Sequence, residues 1–258
     1  MLSNYHTHTK RCKHAKGDDE EYVMHALEAG IKSLGFSDHA PMPFPDGYVS
    51  YYKMENSEAT EYVSSIRALR DKYKEKINIR VGLEAEYYPE NFDASVKYWR
   101  ELGIEYIILG QHFALAPEWD DARHPSFSPS GNEELLSYTD LCCEALKTGK
   151  FTYFAHPDVL GYTGTDARLY ERCVTRLVQT ANDTETPLEV NLLGLRTDRH
   201  YPNERFWEIA SKYRPKVIFG VDAHSPEQLK VAEIENKALQ LAEKFELEII
   251  ENVIFKQI

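Results

Sequence analysis

A parallel α/β barrel is the fold this sequence predicts, and three observations carry that expectation. Apolar runs of strand length alternate with amphipathic helical stretches along the whole chain, in seven units. Several runs, such as Tyr106-Ile107-Ile108-Leu109 and Val217-Ile218-Phe219-Gly220-Val221, are almost continuously apolar, as strands covered on both faces must be. The 258 residues suit one barrel-sized domain. A chain of that size buries roughly three quarters of its unfolded surface without disulfide staples.

The elements follow in order. Strands are expected over residues 2–6, 33–38, 78–84, 106–111, 151–156, 188–192 and 216–221. Asp18 followed by Glu21 reads as a capping box that starts a helix before Tyr22-Val23-Met24. Further helices are expected near 55–74, 92–102, 133–148, 167–180, 204–213 and 226–244. The stretches Pro41-Met42-Pro43-Phe44-Pro45 and 124–129 read as long loops after strands, of the kind that build pockets. No internal repeat, low-complexity tract or linker divides the chain, so residues 1–258 read as a single domain.

Composition narrows the function classes. Cys12, Cys142, Cys143 and Cys173 show no C-x-x-C spacing and read as reduced core thiols. No signal peptide opens the sequence and no apolar run reaches membrane-spanning length, which together suggest a cytoplasmic protein with no membrane partner. A net charge of -12 argues against a nucleic-acid partner, because phosphate backbones demand clustered Lys and Arg. Oligomeric state is not legible.

The ten histidines are more telling. His6, His8, His39, His112, His156 and His224 each fall at the end of an apolar run, and Glu84 and Asp222 occupy equivalent places. His14 lies in the loop just after the first run. The carboxyl ends of barrel strands are where chemistry sits. Residues two apart on an extended strand point the same way, as His6 and His8 do and as Asp222 and His224 repeat. Imidazole and carboxylate together suit Zn, Fe or Mn, and a carboxylate bridges two cations readily, so Glu84 is a candidate bridge. Lone buried histidines usually just hydrogen-bond in a core; six histidines with Glu84 and Asp222 at strand ends, and His14 beside them, point to one polynuclear centre. His25 reads as a helix-surface residue, and His124 and His200 as loop residues.

These motifs resemble the polymerase and histidinol phosphatase (PHP) family over essentially the whole chain. The residues that carry the resemblance are His6-Thr7-His8-Thr9, Gly35-Phe36-Ser37-Asp38-His39-Ala40, Gly82-Leu83-Glu84-Ala85-Glu86, Gly110-Gln111-His112, Ala155-His156-Pro157 and Val221-Asp222-Ala223-His224. The resemblance implies a distorted seven-stranded (β/α) barrel, TIM-barrel-like, with three divalent metal ions. By motif, His6, His8, Glu84 and Asp222 would hold the first; His14, His39 and His224 the second; Glu84, His112 and His156 the third. Length, Pro41-Met42-Pro43, Leu188-Glu189-Val190-Asn191 and Gly194-Leu195-Arg196 resemble the single-domain histidinol-phosphatase branch.

That branch implies hydrolysis of the phosphate monoester L-histidinol phosphate to L-histidinol and inorganic phosphate, a step of histidine biosynthesis. Close cations acidify a bridging water, which attacks phosphorus in line with the departing alkoxide. Arg196 is the expected phosphate clamp because a guanidinium is planar and bidentate; Arg168 and Arg123 are further candidates. Asp38 is expected to orient a neighbouring ligand. Tyr48, Tyr51, Phe113, Trp119, Asp120 and Tyr162 are candidates for the cationic imidazole and amine end. The nearest alternative is a phosphoesterase of the same fold for nucleotides or other phosphorylated metabolites. An amide hydrolase or a non-catalytic metal-binding module fits less well.

Overall fold

The computed structural model describes residues 1–44, 47–115, 117–118 and 129–258. Eight parallel strands pair in sequence order: β1 (Ser3–Asn4), β2 (Ser33–His39), β3 (Asn78–Ala85), β4 (Tyr106–Leu109), β5 (Phe151–Phe154), β6 (Leu188–Asn191), β7 (Lys216–Gly220) and β8 (Glu248–Ile249). Helices α1 (Asp19–Glu28), α2 (Ala59–Tyr73), α3 (Phe92–Leu102), α4 (Asn132–Lys147), α5 (Ala167–Asp183), α6 (Leu192–Arg196), α7 (Glu204–Ser211) and α8 (Ala232–Lys244) connect or follow them.

Two expectations are corrected here. The sheet has eight strands, not seven, and it curls into a half-barrel rather than a closed barrel. Beyond the carboxyl ends of β1 and β7, an isolated bridge pairs Thr7 with Ala223. There the His8 N–H donates to Ala223 O at 2.9 Å and the Ala223 N–H to His6 O at 3.2 Å. The eighth strand is two residues long in a polar, alternating context, so no apolar run announces it. The strand expected over 188–192 forms and stops one residue early: Asn191 ends β6 and caps α6, its Oδ1 accepting from the Gly194 N–H at 2.9 Å. The expected start of α1 holds, with the Asp18 N–H donating to Glu21 Oε2 at 2.7 Å.

Strand alternation sorts the core into two parts. Ile107, Leu109, Phe154, Leu188, Val190, Val217 and Phe219 pack in the large cluster shared with the helices. Their alternates Tyr106, Ile108, Tyr153, Ala155 and Ile218 form a second cluster with Tyr5, inside the curl of the sheet. Glycine makes the room for this interior. A Cβ at Gly35 or Gly82 would collide with the ring of Tyr106, whose hydroxyl donates to Tyr5 O at 2.9 Å and Phe36 O at 3.1 Å. The C-terminal residues finish the amino-end floor. Phe255 packs edge-on against Tyr5 with centroids 5.2 Å apart, under the Arg80 guanidinium at 4.8 Å, and the Ile250 N–H donates to Val217 O at 2.8 Å.

The inward positions continue upward as polar residues: Glu84 on β3, Glu189 and Asn191 on β6, and Asp222 just past β7. The same alternation that fills the floor with aromatic rings therefore aims carboxylates at the opposite mouth. Gly82→Ala, which adds one methyl against a ring hemmed in by Tyr5 and Phe36, should lower stability to urea by about 1–3 kcal/mol. An unchanged unfolding midpoint would show that the interior is looser than these contacts indicate.

Candidate metal centre

The candidate ligands reach the mouth from six strand ends and one loop. His6 and His8 follow β1, His39 ends β2, Glu84 lies one residue before the end of β3, His112 follows β4, His156 follows β5, and Asp222 and His224 follow β7. His14 comes in from a loop after the 3-10 turn Lys10–Cys12, where Lys13 takes the left-handed conformation at φ 69°. His156 and Asp222 also have positive φ, 41° and 52°, a sparsely populated state for non-glycine residues that breaks the strand path at two candidate ligands.

The structure brings all nine together around Glu84. Glu84 Oε1 lies 2.8 Å from His156 Nε2, 3.5 Å from His112 Nε2 and 3.6 Å from His6 Nε2. Its Oε2 lies 2.9 Å from His39 Nδ1 and 3.5 Å from His8 Nε2. Asp222 Oδ1 lies 3.1 Å from His8 Nε2 and 3.4 Å from His224 Nδ1. At the outer side His14 Nε2 and His224 Nε2 are 3.0 Å apart. Donor atoms converge as His6–His8–Glu84, His6–His156–Asp222 and His8–His39–His224, each within 4.8 Å of one another.

Buried polar atoms normally have hydrogen-bond partners. Here His6 Nε2, His8 Nε2, Glu84 Oε2 and Asp222 Oδ1 are buried and have none. These four atoms are the ones that face each other across the cluster. Orphaned imidazole nitrogens beside orphaned carboxylate oxygens fit divalent cations, which would satisfy both.

The electrostatics divide the cluster in two. Burial pushes Glu84 up, but His112, His39, His6 and the His156 contact outweigh it and hold the carboxylate well below its usual range. Burial likewise opposes ionisation of Asp222, and His6 and His8 overcome it. On the inner side, burial lowers His6, yet Glu189, Asp222 and Glu84 raise it to about 10. His8 is also raised, with Asp222 and Asp38 outweighing burial. On the outer side burial dominates. It lowers His14, lowers His39 well below the usual value, and with the charge of His8 takes His224 down to about 3. The outer imidazoles are thus neutral near pH 7, while protons balance the inner carboxylates.

Supporting contacts fix the ring orientations. Glu189, fully buried, takes His6 Nδ1 at 2.7 Å and the His156 N–H at 3.0 Å, and Asn191 Nδ2 links it at 2.9 Å to Asp222 Oδ2 at 3.1 Å. A Cβ at Gly220 would collide with Glu189, and one at Gly110 with Glu84. Asp38 accepts from the His39 N–H at 2.8 Å and lies 3.5 Å from His8 Nδ1, so it braces the first-strand motif as well as its own neighbour. Behind His112, Glu86 Oε1 meets its Nδ1 at 3.0 Å. Glu86 is itself held by Tyr52 and Tyr88 hydroxyls at 2.8 and 2.7 Å and paired with Lys53, which is only 1% exposed. Burial opposes the Glu86 charge, but Lys53 and His112 take its pKa down to about 2. Lys53 also lies 3.0 Å from Glu118.

A cavity of about 450 Å³ opens above the cluster, lined in part by Tyr51, Tyr52, Leu193, Arg199 and Tyr201. Arg196, the expected clamp, does not line it. Its Nη2 donates to Gln228 O at 2.7 Å, and Gln228 Oε1 accepts the His224 N–H at 2.6 Å, so Arg196 braces the loop that carries His224. The five-residue helix α6 accounts for the difference, because it turns the chain between Asn191 and Arg196. Arg199, three residues on, lines the cavity instead, its Nη1 donating to the Tyr201 hydroxyl at 2.6 Å. Arg168 is exposed on α5 away from the cavity lining, and Arg123 lies outside the described residues, as do His124, Trp119 and Asp120. Of the described aromatic candidates only Tyr51 lines the cavity. Tyr48 packs on Phe44, Phe113 is buried near Tyr52, and Tyr162 stacks on Tyr170. His25 and His200 hydrogen-bond to main-chain carbonyls outside the cluster. Glu189 and Arg199 gave no sequence signal of their own role; only alternation with Leu188 and Val190 marks Glu189 as inward-facing.

The chain matches the PHP domain model over residues 4–192. It belongs to the PHP family. Asp222 and His224 lie beyond the matched region and reach the centre through the β7 end. Among curated relatives, the chain is 28% identical to a probable histidinol-phosphatase of Deinococcus radiodurans over 87% of each chain. It is 32% identical to the histidinol-phosphatase of Bacillus subtilis over 42% of each chain. The histidinol phosphate phosphatase of Lactococcus lactis, solved with zinc, L-histidinol and phosphate, superposes with a TM-score of 0.69 at 16% identity, covering 96% of this chain and 95% of that one. At that identity the likeness is one of fold.

Two outcomes are expected of this centre. Glu189→Gln keeps the shape but removes the charge beside His6, and should weaken metal binding by roughly 10–100-fold in a competition with a chelator. Unchanged metal affinity would remove Glu189 from the centre. Metal must also displace the proton that His6 holds up to about pH 10, whereas His224 has none to lose near neutrality. Affinity at the inner position should therefore rise with pH through the neutral range and flatten near 10, with proton release measurable by calorimetry in two buffers. The outer imidazoles His14 and His224 should add nothing to that release.

Proposed function

We propose that this protein is a metal-dependent phosphoric monoester hydrolase that converts L-histidinol phosphate to L-histidinol and inorganic phosphate, a step of histidine biosynthesis. The observation that carries the proposal is the convergence of nine donor side chains, with orphaned buried atoms between them, at the floor of a cavity that also presents Arg199. The named functions of the Deinococcus radiodurans and Bacillus subtilis relatives, and the ligands of the Lactococcus lactis enzyme, support the choice of substrate.

In this reading the centre would take three divalent cations. His6, His8, Glu84 and Asp222 would hold the first, His14, His39 and His224 the second, and Glu84, His112 and His156 the third, with Glu84 shared. The donor set accepts Zn, Fe or Mn. Bound cations supply Lewis acidity toward the phosphoryl oxygens and an activated water for the attack. The chain's own residues do the rest. Glu84 and Asp222 keep negative charge where the cations gather, and Glu189 and Asp38 hold His6 and His8 in their orientations. Arg199 takes two phosphate oxygens from the open side of the cavity, its guanidinium set by the Tyr201 hydroxyl. The face of Tyr51 receives the imidazole or ammonium end of the substrate. Arg196 acts through Gln228 and His224, not on phosphate.

A phosphoesterase for nucleotides or other phosphorylated metabolites would use the same centre, and a substrate panel separates the two. A large preference in kcat/KM for histidinol phosphate is expected; comparable rates on nucleotide monophosphates would favour the broader enzyme. Dialysis against a strong chelator should abolish turnover, with rescue by Zn, Mn or Fe. Arg199→Ala should raise KM for the phosphate ester roughly tenfold or more, the loss of a charge-assisted hydrogen bond, while metal content stays normal. Should KM stay put there and rise in Arg196→Ala instead, the clamp is misassigned.

A further inference from the structure

Cys12 is fully buried, yet it belongs to neither apolar cluster of the core, whereas Cys142, Cys143 and Cys173 pack in the large one. It closes the 3-10 turn Lys10–Cys12, and the left-handed Lys13 then swings the chain so that His14 stands beside it. Two imidazoles face each other there. His14 Nδ1 lies 2.7 Å from Cys12 O and His224 Nδ1 lies 3.0 Å from Asp222 O. A carbonyl oxygen only accepts, so each Nδ1 carries the proton and each Nε2 keeps its lone pair. Those two Nε2 atoms are 3.0 Å apart. Two lone pairs at that separation repel, and a cation bound by both relieves the repulsion. Cys12 Sγ lies within 4.8 Å of a ring nitrogen of both histidines, and within 4.8 Å of donor atoms of His8 and Asp38. His8 Nδ1, on that same side, is buried without a hydrogen-bond partner.

We propose that Cys12 joins His14, His39 and His224 as a ligand of the outer cation, giving a donor set of three imidazole nitrogens and one thiolate sulfur that selects a thiophilic ion such as Zn²⁺ over Mn²⁺. This rests on the metal-centre reading above and extends it to a residue outside the nine. Softness is the reason for the selectivity: thiolate favours zinc-like ions, whereas manganese prefers oxygen donors. On ligation the thiol gives up its proton to solvent and the sulfur–metal bond replaces the S–H bond. The centre then holds two chemically different positions, a carboxylate-rich inner one and a sulfur-containing outer one.

The test is a zinc K-edge absorption spectrum of the zinc-loaded full-length protein. With every position filled by zinc, one sulfur scatterer at about 2.3 Å per three zinc ions is expected. The cobalt-substituted protein should show a thiolate-to-cobalt charge-transfer band in the near ultraviolet, absent from Cys12→Ser. That variant should bind zinc more weakly by at least the roughly 10–100-fold that loss of a supporting contact costs, with manganese affinity little changed. Bound zinc with only nitrogen and oxygen scatterers overturns the role of Cys12 and leaves the metal centre standing. A full-length protein that takes up no zinc or cobalt overturns both. Because the absorption spectrum is taken on the unaltered chain, a folding defect in the variant does not decide the matter.

Discussion

Concentrating carboxylates in an apolar interior is the constraint on which the rest of this structure depends. Glu84, Glu86, Glu189, Asp38 and Asp222 are all buried at one mouth of the sheet. Isolated, each would be forced neutral or out of the fold. What keeps them there is a surrounding shell of imidazoles, with Lys53 behind Glu86. The balance is deliberately incomplete at the centre. Charges are offset, but His6 Nε2, His8 Nε2, Glu84 Oε2 and Asp222 Oδ1 have no hydrogen bonds. A site satisfied by its own residues would have nothing left to bind a cation.

Space is controlled as closely as charge. On the floor side, glycines at 35 and 82 admit the Tyr106 ring. On the mouth side, glycines at 110 and 220 admit the Glu84 and Glu189 carboxylates. In each case the missing side chain sits on the strand next to, or near, the residue that fills the gap. One alternation of inward positions therefore runs from aromatic filler to charged donor without a change of backbone plan.

The two sides of the cluster differ in how they are braced. Inner ligands lean on charged groups, His6 on Glu189 and His112 on Glu86. Outer ligands lean on main-chain carbonyls, His14 on Cys12 and His224 on Asp222. Carboxylate bracing makes an imidazole more basic and holds a proton or cation strongly; carbonyl bracing sets the tautomer and leaves the ring neutral. Two chemically unequal sides of the candidate centre follow from that difference alone.

The sequence by itself determined the alternation of strands and helices, the strand-end placement of the donors and the capping-box start of α1, because each depends on short-range patterning. Short, almost continuous apolar runs and Asp18 with Glu21 act within a few residues. Only the tertiary structure decided which side chains complete the site. Asn191 could have continued a strand; its cap on Gly194 starts α6, carrying Arg196 back toward Gln228 and bringing Arg199 to the cavity. Glu189 could be recognised only once β6 lay beside the strand ends bearing His6 and His156. The eighth strand and the half-open sheet were equally hidden, since a two-residue pairing with β7 depends on where the C-terminal residues dock and not on their own composition. Contacts between residues distant along the chain leave no local pattern to read, and the completing groups of this centre are all of that kind.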